Sequence, residues 1–328
     1  MALAALVLWF AAARLTGEWS NVRAIASALS VEWLHLLLSG AIVLGSYAIL
    51  IETWRRVLAS WGSSLDWYTA AHIWFVASLG RYVPGKIWQI GVMAALARRA
   101  GVSPLAATGS SIMVNLVNLL AGVVVMLATG VQVLRLPGGA LLAAIVLLAG
   151  LLLVPLVLPS AARAAARLTG RNLSVPPLPL ASIAIAFVGC VAGWLLYGIA
   201  FYLLARGTLG AAESAALFGW NVLGAPGATG GISGAIAVYT ASYLAGYLVL
   251  FAPGGIVVRE GVMIESLVGL GFTDRPHAAI LAVVSRLWIT VLEILPGVIF
   301  LAKQLPRAPD PKIDHRAPDT FSVTDGSH

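Results

Sequence analysis

The sequence predicts an all-α polytopic membrane protein, and three observations lead to this prediction. The chain has 328 residues, of which 60% are hydrophobic and only 10% are charged, whereas soluble domains carry about a quarter charged residues. Several apolar runs reach the roughly 20 residues that cross a bilayer as a helix. Two apolar regions are interrupted by Pro-Gly pairs. We therefore expect a helix bundle with two re-entrant broken-helix hairpins, related to each other as an inverted repeat.

The predicted elements fall into two halves, about 33–158 and 178–303. The first half is expected to hold spans at 33–51, 105–134 and 140–158, with an interrupted segment at 67–97. The second half is expected to hold spans at 178–204, 235–252 and 277–302, with helix-breaking runs at 224–234 and after 252. Residues 2–15 form a further short apolar segment, which we interpret as a first span.

Positive charges orient the chain. Net charge is +7, which in a soluble protein would suggest nucleic acid as a partner, but in a membrane protein Lys and Arg collect in cytoplasmic loops. Pairs at 55–56 and 98–99 flank the interrupted segment 67–97, so both of its ends are expected on the cytoplasmic side. We expect a multi-pass protein of the plasma membrane, a transmembrane domain over 1–303, and a disordered, polar, cytoplasmic C-terminal tail over 304–328.

The sequence offers no pattern typical of a cofactor, a metal site or a catalytic centre. No zinc-ligand spacing, phosphate-binding loop or dinucleotide fingerprint is present, and Cys190 is the single cysteine. No nucleophile, base and acid occur in a catalytic arrangement. We therefore expect no cofactor, no metal, no nucleic-acid partner and no enzymatic activity.

The two interrupted regions resemble each other. The stretch YVPGKIWQIGVMAAL (82–96) and the stretch FAPGGIVVREGVMIESL (251–267) share an aromatic residue, a Pro-Gly pair, an isoleucine and a Gly-Val-Met triplet in the same order. A proline-containing loop and a long span follow each stretch. This order, with opposite predicted orientations, indicates an inverted repeat, an arrangement typical of transporters.

The spans that follow the two stretches also share a pattern of polar and small residues on one helix face. The face of the first span holds Ser111, Asn115, Asn118 and Gly122, and that of the second holds Arg286, Thr290, Glu293 and Gly297, each at steps of four, three and four. Packed transmembrane helices use small and polar residues in any case, so coincidence is the alternative. We expect Ser111, Asn115, Asn118, Thr290 and Glu293 to line a polar cavity.

Each break is expected to expose the N-terminus of a half-helix, which carries about half a positive charge. Pro84 and Pro253 suit the first turn of such a half-helix. Cations stand close by, at Arg81 and Lys86 in the first half and at Arg259 in the second. An anionic group gains from the dipole, the freed amides and the cations together, and in a membrane the obvious anionic group is a lipid phosphate.

Other roles for these charges stay open. Arg81 and Lys86 could extend to the membrane interface. A structural ion pair among Arg259, Glu260, Arg286 and Glu293 is an equal alternative to a role in transport. Tyr239, Tyr243 and Tyr247 share a helix face that suits either interface packing or acyl-chain contact, and we expect Trp61, Trp67, Trp74 and Trp88 to contribute to an interfacial belt.

The motifs SLGRYVPGKIW, RRAGVSPLAA and FAPGGIVVREGVMIESL, with the span that follows the last, resemble the transmembrane region of lysylphosphatidylglycerol synthases, a flippase-like family. The resemblance covers about residues 33–303, and Pro253 to Glu260 is its most specific part. It implies that a lipid headgroup is bound at the matching positions Arg81, Pro84, Gly85, Lys86, Pro253, Gly254, Gly255, Arg259, Glu260 and Arg286. The chain departs from the family at Val114 and Asn115, where members often carry an acidic-basic pair. Nothing after residue 303 resembles the soluble synthase domain, so we expect a stand-alone member that does not itself add lysine to lipids.

The function expected from these observations is translocation of a lipid between leaflets. The expected partners are membrane lipids, either an anionic phospholipid or a polyprenyl-phosphate-linked lipid, and a separate lipid-modifying enzyme is a further candidate. One alternative is an accessory subunit or transferase that presents a lipid-linked substrate. Another alternative is a membrane scaffold that transports nothing.

Overall fold

The computed structural model describes residues 31–82, 87–130, 142, 145–146, 149–150, 180–209, 231–248 and 257–303. Over these residues the chain forms eight α-helices and no β-strand. The helices are α1 (Trp33–Ser60), α2 (Trp67–Ser78), α3 (Ile87–Arg99), α4 (Pro104–Gly130), α5 (Leu180–Leu209), α6 (Gly231–Leu248), α7 (Val258–Gly269) and α8 (Arg275–Ala302). A short 3₁₀ turn, Leu79–Tyr82, continues α2.

Four of these helices are long and apolar enough to cross a membrane. They are α1, residues 106–130 of α4, α5 and α8, with 25 to 30 residues each. At 1.5 Å per residue, even the shortest exceeds the roughly 30 Å of a bilayer core. Large apolar side chains such as Leu37, Leu116 and Val188 lie exposed on the outside of the bundle, as lipid-facing residues do. The predicted all-helical membrane class is confirmed.

Two helix boundaries differ from the predicted ones for identifiable reasons. We expected the first full span to end at 51, before the arginine pair, but α1 continues to Ser60. Glu52 pairs with Arg55 and with Arg56 at 2.7 Å, at spacings of three and four residues, so the helix itself neutralises these charges. The glycine-rich run 224–234 was expected to break the chain, yet Gly231 already begins α6. There Gly234 packs under the ring of Phe272, which a Cβ atom would meet at 2.7 Å.

Three helices begin with a side chain that caps the first turn. Asp66 accepts a hydrogen bond from the Thr69 amide at 3.0 Å, Ser103 accepts one from Ala106 at 3.1 Å, and Asp274 accepts one from His277 at 3.0 Å. These bonds satisfy amides that have no partner within the helix. The bonds from Thr69 lower the pKa of Asp66, and the bond from the His277 amide is the main reason that the pKa of Asp274 is lowered.

The pair α1 and α5 forms the most extensive helix contact and brings the two halves together. Small residues allow the close approach: Gly189 lies against the Thr53 side chain, and Gly193 against Leu50. Ser39 Oγ donates to the Ala200 carbonyl at 2.8 Å across the same contact. Small residues and hydroxyl bonds of this kind replace the hydrophobic driving force that is missing between helices in lipid.

The contacts between helices follow the predicted division into halves. When α1 to α4 are matched in order with α5 to α8, each contact in one half has a counterpart. Thus α2–α3 matches α6–α7, α3–α4 matches α7–α8, and the crossed contact α4–α6 matches α8–α2. Such a reciprocal pattern is what an internal duplication would produce. The inverted relation of the halves stays a prediction.

The Pro-Gly turns themselves lie outside the described residues, at 83–86 and within 249–256. Around the first, α2 packs against α3, and a Cβ on Gly80 would lie 3.0 Å from the backbone nitrogen of Gln89. Around the second, α6 packs against α7. The helices on either side of each break are thus in contact, and the re-entrant hairpins stay a prediction. Most of the predicted span at 140–158, the segment 2–15 and the tail after 303 also lie outside the described residues.

Candidate functional site

A cavity of about 160 Å³ lies between the two halves. All eight described helices contribute to its walls. Trp74 of α2 and Arg259 of α7 are the single contributions of their helices, and each of the other six helices contributes two or more residues. The polar part of its lining comes chiefly from α4 and α8, and the aromatic part from α1, α5 and α6. The cavity is therefore the place where the matched helices of the two halves meet.

Matched faces of α4 and α8 line this cavity. Ser111, Asn115 and Asn118 come from α4, and Arg286, Thr290 and Glu293 occupy the same spacing on α8. Residues Val114 and Ile289, which fit between them at identical steps, line it as well. The five side chains that were expected to line a polar cavity thus all line this one.

The glycine that ends each of the two faces has a packing role. A Cβ on Gly122 would lie 2.9 Å from the indole of Trp194, and a Cβ on Gly297 would lie 2.8 Å from the Leu79 side chain. Gly122 thus allows α5 to pack closely against α4, and Gly297 allows the 3₁₀ turn after α2 to pack closely against α8.

Arg259 is the most buried cation among the described residues, with 7% of its surface exposed. Its guanidinium carbon lies 5.1 Å from the ring centroids of both Tyr239 and Tyr243 on α6. Two cation–π contacts hold the charge where it would otherwise be poorly solvated. The guanidinium nitrogen Nη2 is buried and has no hydrogen-bond partner among the described residues. Arg259 thus brings an incompletely satisfied donor to the cavity wall.

Arg286, in contrast, already has an anionic partner. Its Nη1 donates to Glu260 Oε1 at 2.6 Å, and the other carboxylate oxygen of Glu260 accepts the Val257 amide at 2.7 Å. Glu260 therefore occupies the N-terminus of α7 and neutralises Arg286 at the same time. Of the ion pairs that the sequence left open among the four charged residues, the one between Arg286 and Glu260 is present.

The residue that precedes α7 adopts an uncommon backbone conformation. Val257 has a φ of 75°, the only positive φ of a non-glycine residue in the described part of the chain. A β-branched side chain is strained there. The described part of α7 begins at Val258, and Pro253, which was expected in the first turn of a half-helix, lies outside the described residues.

Aromatic side chains form much of the rest of the lining. Tyr243 and Tyr247 were predicted to share a face of α6 but not to belong to the site, and Trp74 was expected in an interfacial belt. All three line the cavity, as do Tyr47 and Trp54 of α1 and Trp194 and Tyr197 of α5. Their 3.6-residue spacing gave a signal for a shared face, but not for the cavity that the face meets.

Several of the predicted headgroup-binding residues lie outside the described residues, namely Pro84, Gly85, Lys86, Pro253, Gly254 and Gly255. Arg81 belongs to the 3₁₀ turn after α2, and its side chain is not described. Gln89, which was not among the predicted site residues, also lines the cavity. It lies two residues before the first Gly-Val-Met triplet, and Arg259 lies two residues before the second.

Within the described part of the chain, no group of three His, Cys, Asp or Glu side chains could hold a metal ion. The chain matches no protein-family model, and neither a curated protein nor a solved structure is detectably similar to it.

Proposed function

We propose that this protein is a membrane lipid translocator, which binds an anionic headgroup in the cavity between its halves and moves it between leaflets. The observation that carries the proposal is Arg259, a 7%-exposed cation in the cavity wall, one of whose guanidinium nitrogens has no hydrogen-bond partner among the described residues. The helices around it are long and apolar enough to cross a membrane. A charge at membrane depth costs at least about 2.5 kcal/mol on insertion scales, so a function is the better explanation for its retention.

The two breaks support a binding role for the same region. Irregular backbone at membrane depth is stable only where it is packed in protein or lines a polar cavity. We propose that both Pro-Gly turns are re-entrant, that they enter from opposite leaflets and that Lys86 and Arg81 add positive charge on the side of the first turn. Discontinuous helices that meet at the interface of inverted repeats are characteristic of secondary transporters.

We further propose that the chain belongs to the flippase-like family that includes the transmembrane region of lysylphosphatidylglycerol synthases. The support is the order of its motifs, above all the block from Pro253 to Glu260. The basic loops favour a cytoplasmic C-terminus and a location in the plasma membrane. The lack of a recognisable catalytic arrangement favours transport without covalent chemistry.

Translocation is testable in proteoliposomes that contain the full-length protein and a trace of phosphatidylglycerol with a fluorescent acyl chain. Dithionite bleaches the label in the outer leaflet only, so faster loss of the protected fraction reports flipping. We expect Arg259→Gln to reduce the protein-dependent rate at least about tenfold, since the cation that meets the headgroup is lost. The control is Arg275→Gln on the same half, because Arg275 is exposed and pairs with Glu265 at 2.9 Å.

Two outcomes would contradict the proposal. The first is a rate no higher than that of protein-free vesicles, with the protein shown to be inserted and monodisperse. The second is equal acceleration by wild type and Arg259→Gln, which would mean that flipping does not pass the cavity.

A further inference from the structure

The charged side chains of the cavity lining come from the second half, and its side-chain amides come from the first half. The charged residues of the lining, Arg259, Arg286 and Glu293, all come from α7 and α8 of the second half. The corresponding wall of the first half offers the amides of Gln89, Asn115 and Asn118 and the hydroxyl of Ser111. A ligand that satisfies both walls needs an anionic part and an uncharged part rich in hydrogen-bonding groups.

The uncharged wall suits hydroxyl groups. A side-chain amide offers two donors and two acceptor lone pairs, so it can meet a hydroxyl in either role. Asn115 uses Nδ2 for the Ser111 carbonyl at 2.9 Å, which leaves its Oδ1 as an acceptor. The faces of Trp54, Trp74 and Trp194 add flat apolar surfaces with a polar edge. Amides beside aromatic faces are the groups that bind a ring bearing several hydroxyls.

The charged wall limits how much negative charge the ligand can carry. Arg286 is neutralised by Glu260 at 2.6 Å. The buried Glu293, 1% exposed, is an acidic side chain of the same lining. Arg259 is then the cation of the lining whose donors are not all satisfied by described residues. Since charges interact strongly where water is excluded, a single cation of this kind favours a ligand with one negative charge.

The volume agrees with a single ring. An engineered apolar cavity of about 150 Å³ holds one benzene molecule, and the cavity here measures about 160 Å³. The size of the cavity therefore suits one six-membered ring.

We infer that the headgroup bound in this cavity is a phosphodiester of a polyol or a single sugar, with one negative charge. This inference rests on the proposed function and specifies its substrate class. Both glycerolipids and polyprenyl lipids exist with such headgroups, and the shared chemistry is the hydroxylated ring on a singly charged phosphate. Headgroups with an amine in place of the ring, and lipids with a diphosphate or an added phosphate, fit less well.

The test compares lipids that differ in one of these properties. Full-length protein in detergent is titrated at about pH 5, where a phosphomonoester carries one negative charge. The ligands are phosphatidylinositol, phosphatidic acid, which lacks the ring, and phosphatidylinositol 4-phosphate, which adds charge. Binding is followed by tryptophan fluorescence, because three tryptophans line the cavity. We expect phosphatidylinositol to bind at least about tenfold more tightly than either of the others. A hexosyl polyprenyl monophosphate is the fourth ligand, and its affinity relative to phosphatidylinositol distinguishes the two lipid sources.

Substitutions in the lining test which residues determine the preference for phosphatidylinositol. We expect the double variant Gln89→Leu and Asn115→Leu to lower the affinity for phosphatidylinositol to that for phosphatidic acid. Retained binding of phosphatidic acid shows that the variant is folded. We expect Arg259→Gln to weaken the binding of phosphatidylinositol and of phosphatidic acid by the same factor. Thr129→Val is the matched control, because Thr129 lies on α4 but bonds to the Val125 carbonyl of its own helix, away from the cavity.

The outcomes separate the inference from the proposed function. Equal affinities for phosphatidylinositol and phosphatidic acid, both dependent on Arg259, would overturn the inference and leave an anionic-lipid translocator. Tightest binding of the 4-phosphate would also overturn it. If no anionic lipid binds more tightly than phosphatidylcholine, the proposed function fails together with the inference.

Discussion

Glu260 is the residue on which two contacts at the cavity depend. It pairs with Arg286 at 2.6 Å and accepts the Val257 amide at 2.7 Å, and both side chains of the pair are mostly buried. We expect Glu260→Gln to lower the free energy of unfolding by about 2 kcal/mol, because a charged acceptor is removed from two donors. The measurement is the unfolding midpoint of the purified protein in detergent.

The matched control for this substitution is Glu265→Gln, one turn further along α7. Glu265 pairs with Arg275, but both side chains are about 65% exposed, and exposed pairs contribute less than about 1 kcal/mol. An equal shift of the midpoint for both variants would contradict the role given to Glu260.

Asp66 makes the start of α2 sensitive to acid. Its pKa lies below the ordinary value of 3.8, because the ionised carboxylate accepts hydrogen bonds from Thr69. Its contribution to stability is therefore complete above pH 3.8 and is lost as the pH falls through the lower pKa of the folded state. We expect Asp66→Ala to cost about 1 kcal/mol at pH 7 and at pH 5, and less at pH 3 and below. Unfolding midpoints at these three pH values check it.

Ser103→Ala provides the comparison, since Ser103 caps α4 with a group that does not titrate. Its cost is expected to be of similar size and independent of pH. A pH-independent cost for Asp66→Ala would show that the carboxylate is not ionised in its capping bond.

The sequence alone predicted most of the charged residues of the cavity but not their partners. Helix periodicity placed Asn115 and Glu293 on polar faces, because residues three and four apart share a face whatever surrounds the helix. The contact of Arg259 with the tyrosines depends on how α6 lies against α7. Those helices are separated by the second break, whose geometry no periodicity encodes.

At the scale of helices, close packing relies on glycines at particular contacts. A Cβ on Gly198 of α5 would lie 2.5 Å from the backbone of Ile236 on α6, so the two helices would have to separate. We expect Gly198→Ala to lower the free energy of unfolding by about 1–3 kcal/mol, measured as a lower unfolding midpoint in detergent.

Gly45 of α1 is the control for this effect, because a Cβ there would meet nothing within 4 Å. Gly45→Ala is expected to leave the midpoint unchanged or slightly higher, since alanine favours the helix more than glycine. Equal losses for the two variants would indicate that backbone propensity, not the α5–α6 contact, determines the effect.

Long helices were predicted well because length and hydrophobicity suffice to identify them. Both α5 and α8 begin and end within a few residues of the predicted spans. The end of α1 was missed because a charge pair was taken as a boundary, whereas Glu52 neutralises both arginines within the helix. The start of α6 was missed because glycine has a low intrinsic helix propensity. Close packing against Phe272 nevertheless requires glycine at position 234, inside the helix.

At the scale of the whole molecule, the two halves hold each other through α1 and α5. We expect halves that are expressed as separate chains, divided within 160–171, to purify together in detergent. Gly189→Leu should abolish this association, because Gly189 lies directly against Thr53 of the other half. The readout is recovery of an untagged first half with a tagged second half.

Val188→Leu is the control for this experiment, since Val188 is the neighbouring residue and is 66% exposed on the outside of α5. The second half with Val188→Leu is expected to recover as much of the first half as the unmodified second half does. If Gly189→Leu also leaves association intact, contacts other than α1–α5 hold the halves together.

The duplicated pattern of contacts could be anticipated from the two motif repeats, but the arrangement of the walls could not. A repeat in sequence specifies which helices correspond, and α4 and α8 do correspond. It does not specify that the crossed contacts α4–α6 and α2–α8 enclose a cavity, because that depends on the packing of side chains from both halves at once.

The backbone of Val257 is strained at the start of α7. A valine with a φ of 75° stores about 1–3 kcal/mol relative to ordinary dihedrals, and the bond from its amide to Glu260 helps to hold it there. Loss of the bond between Glu260 and the Val257 amide would release this strain, so the first turn of α7 is the part of the helix with the most to gain from a change of conformation.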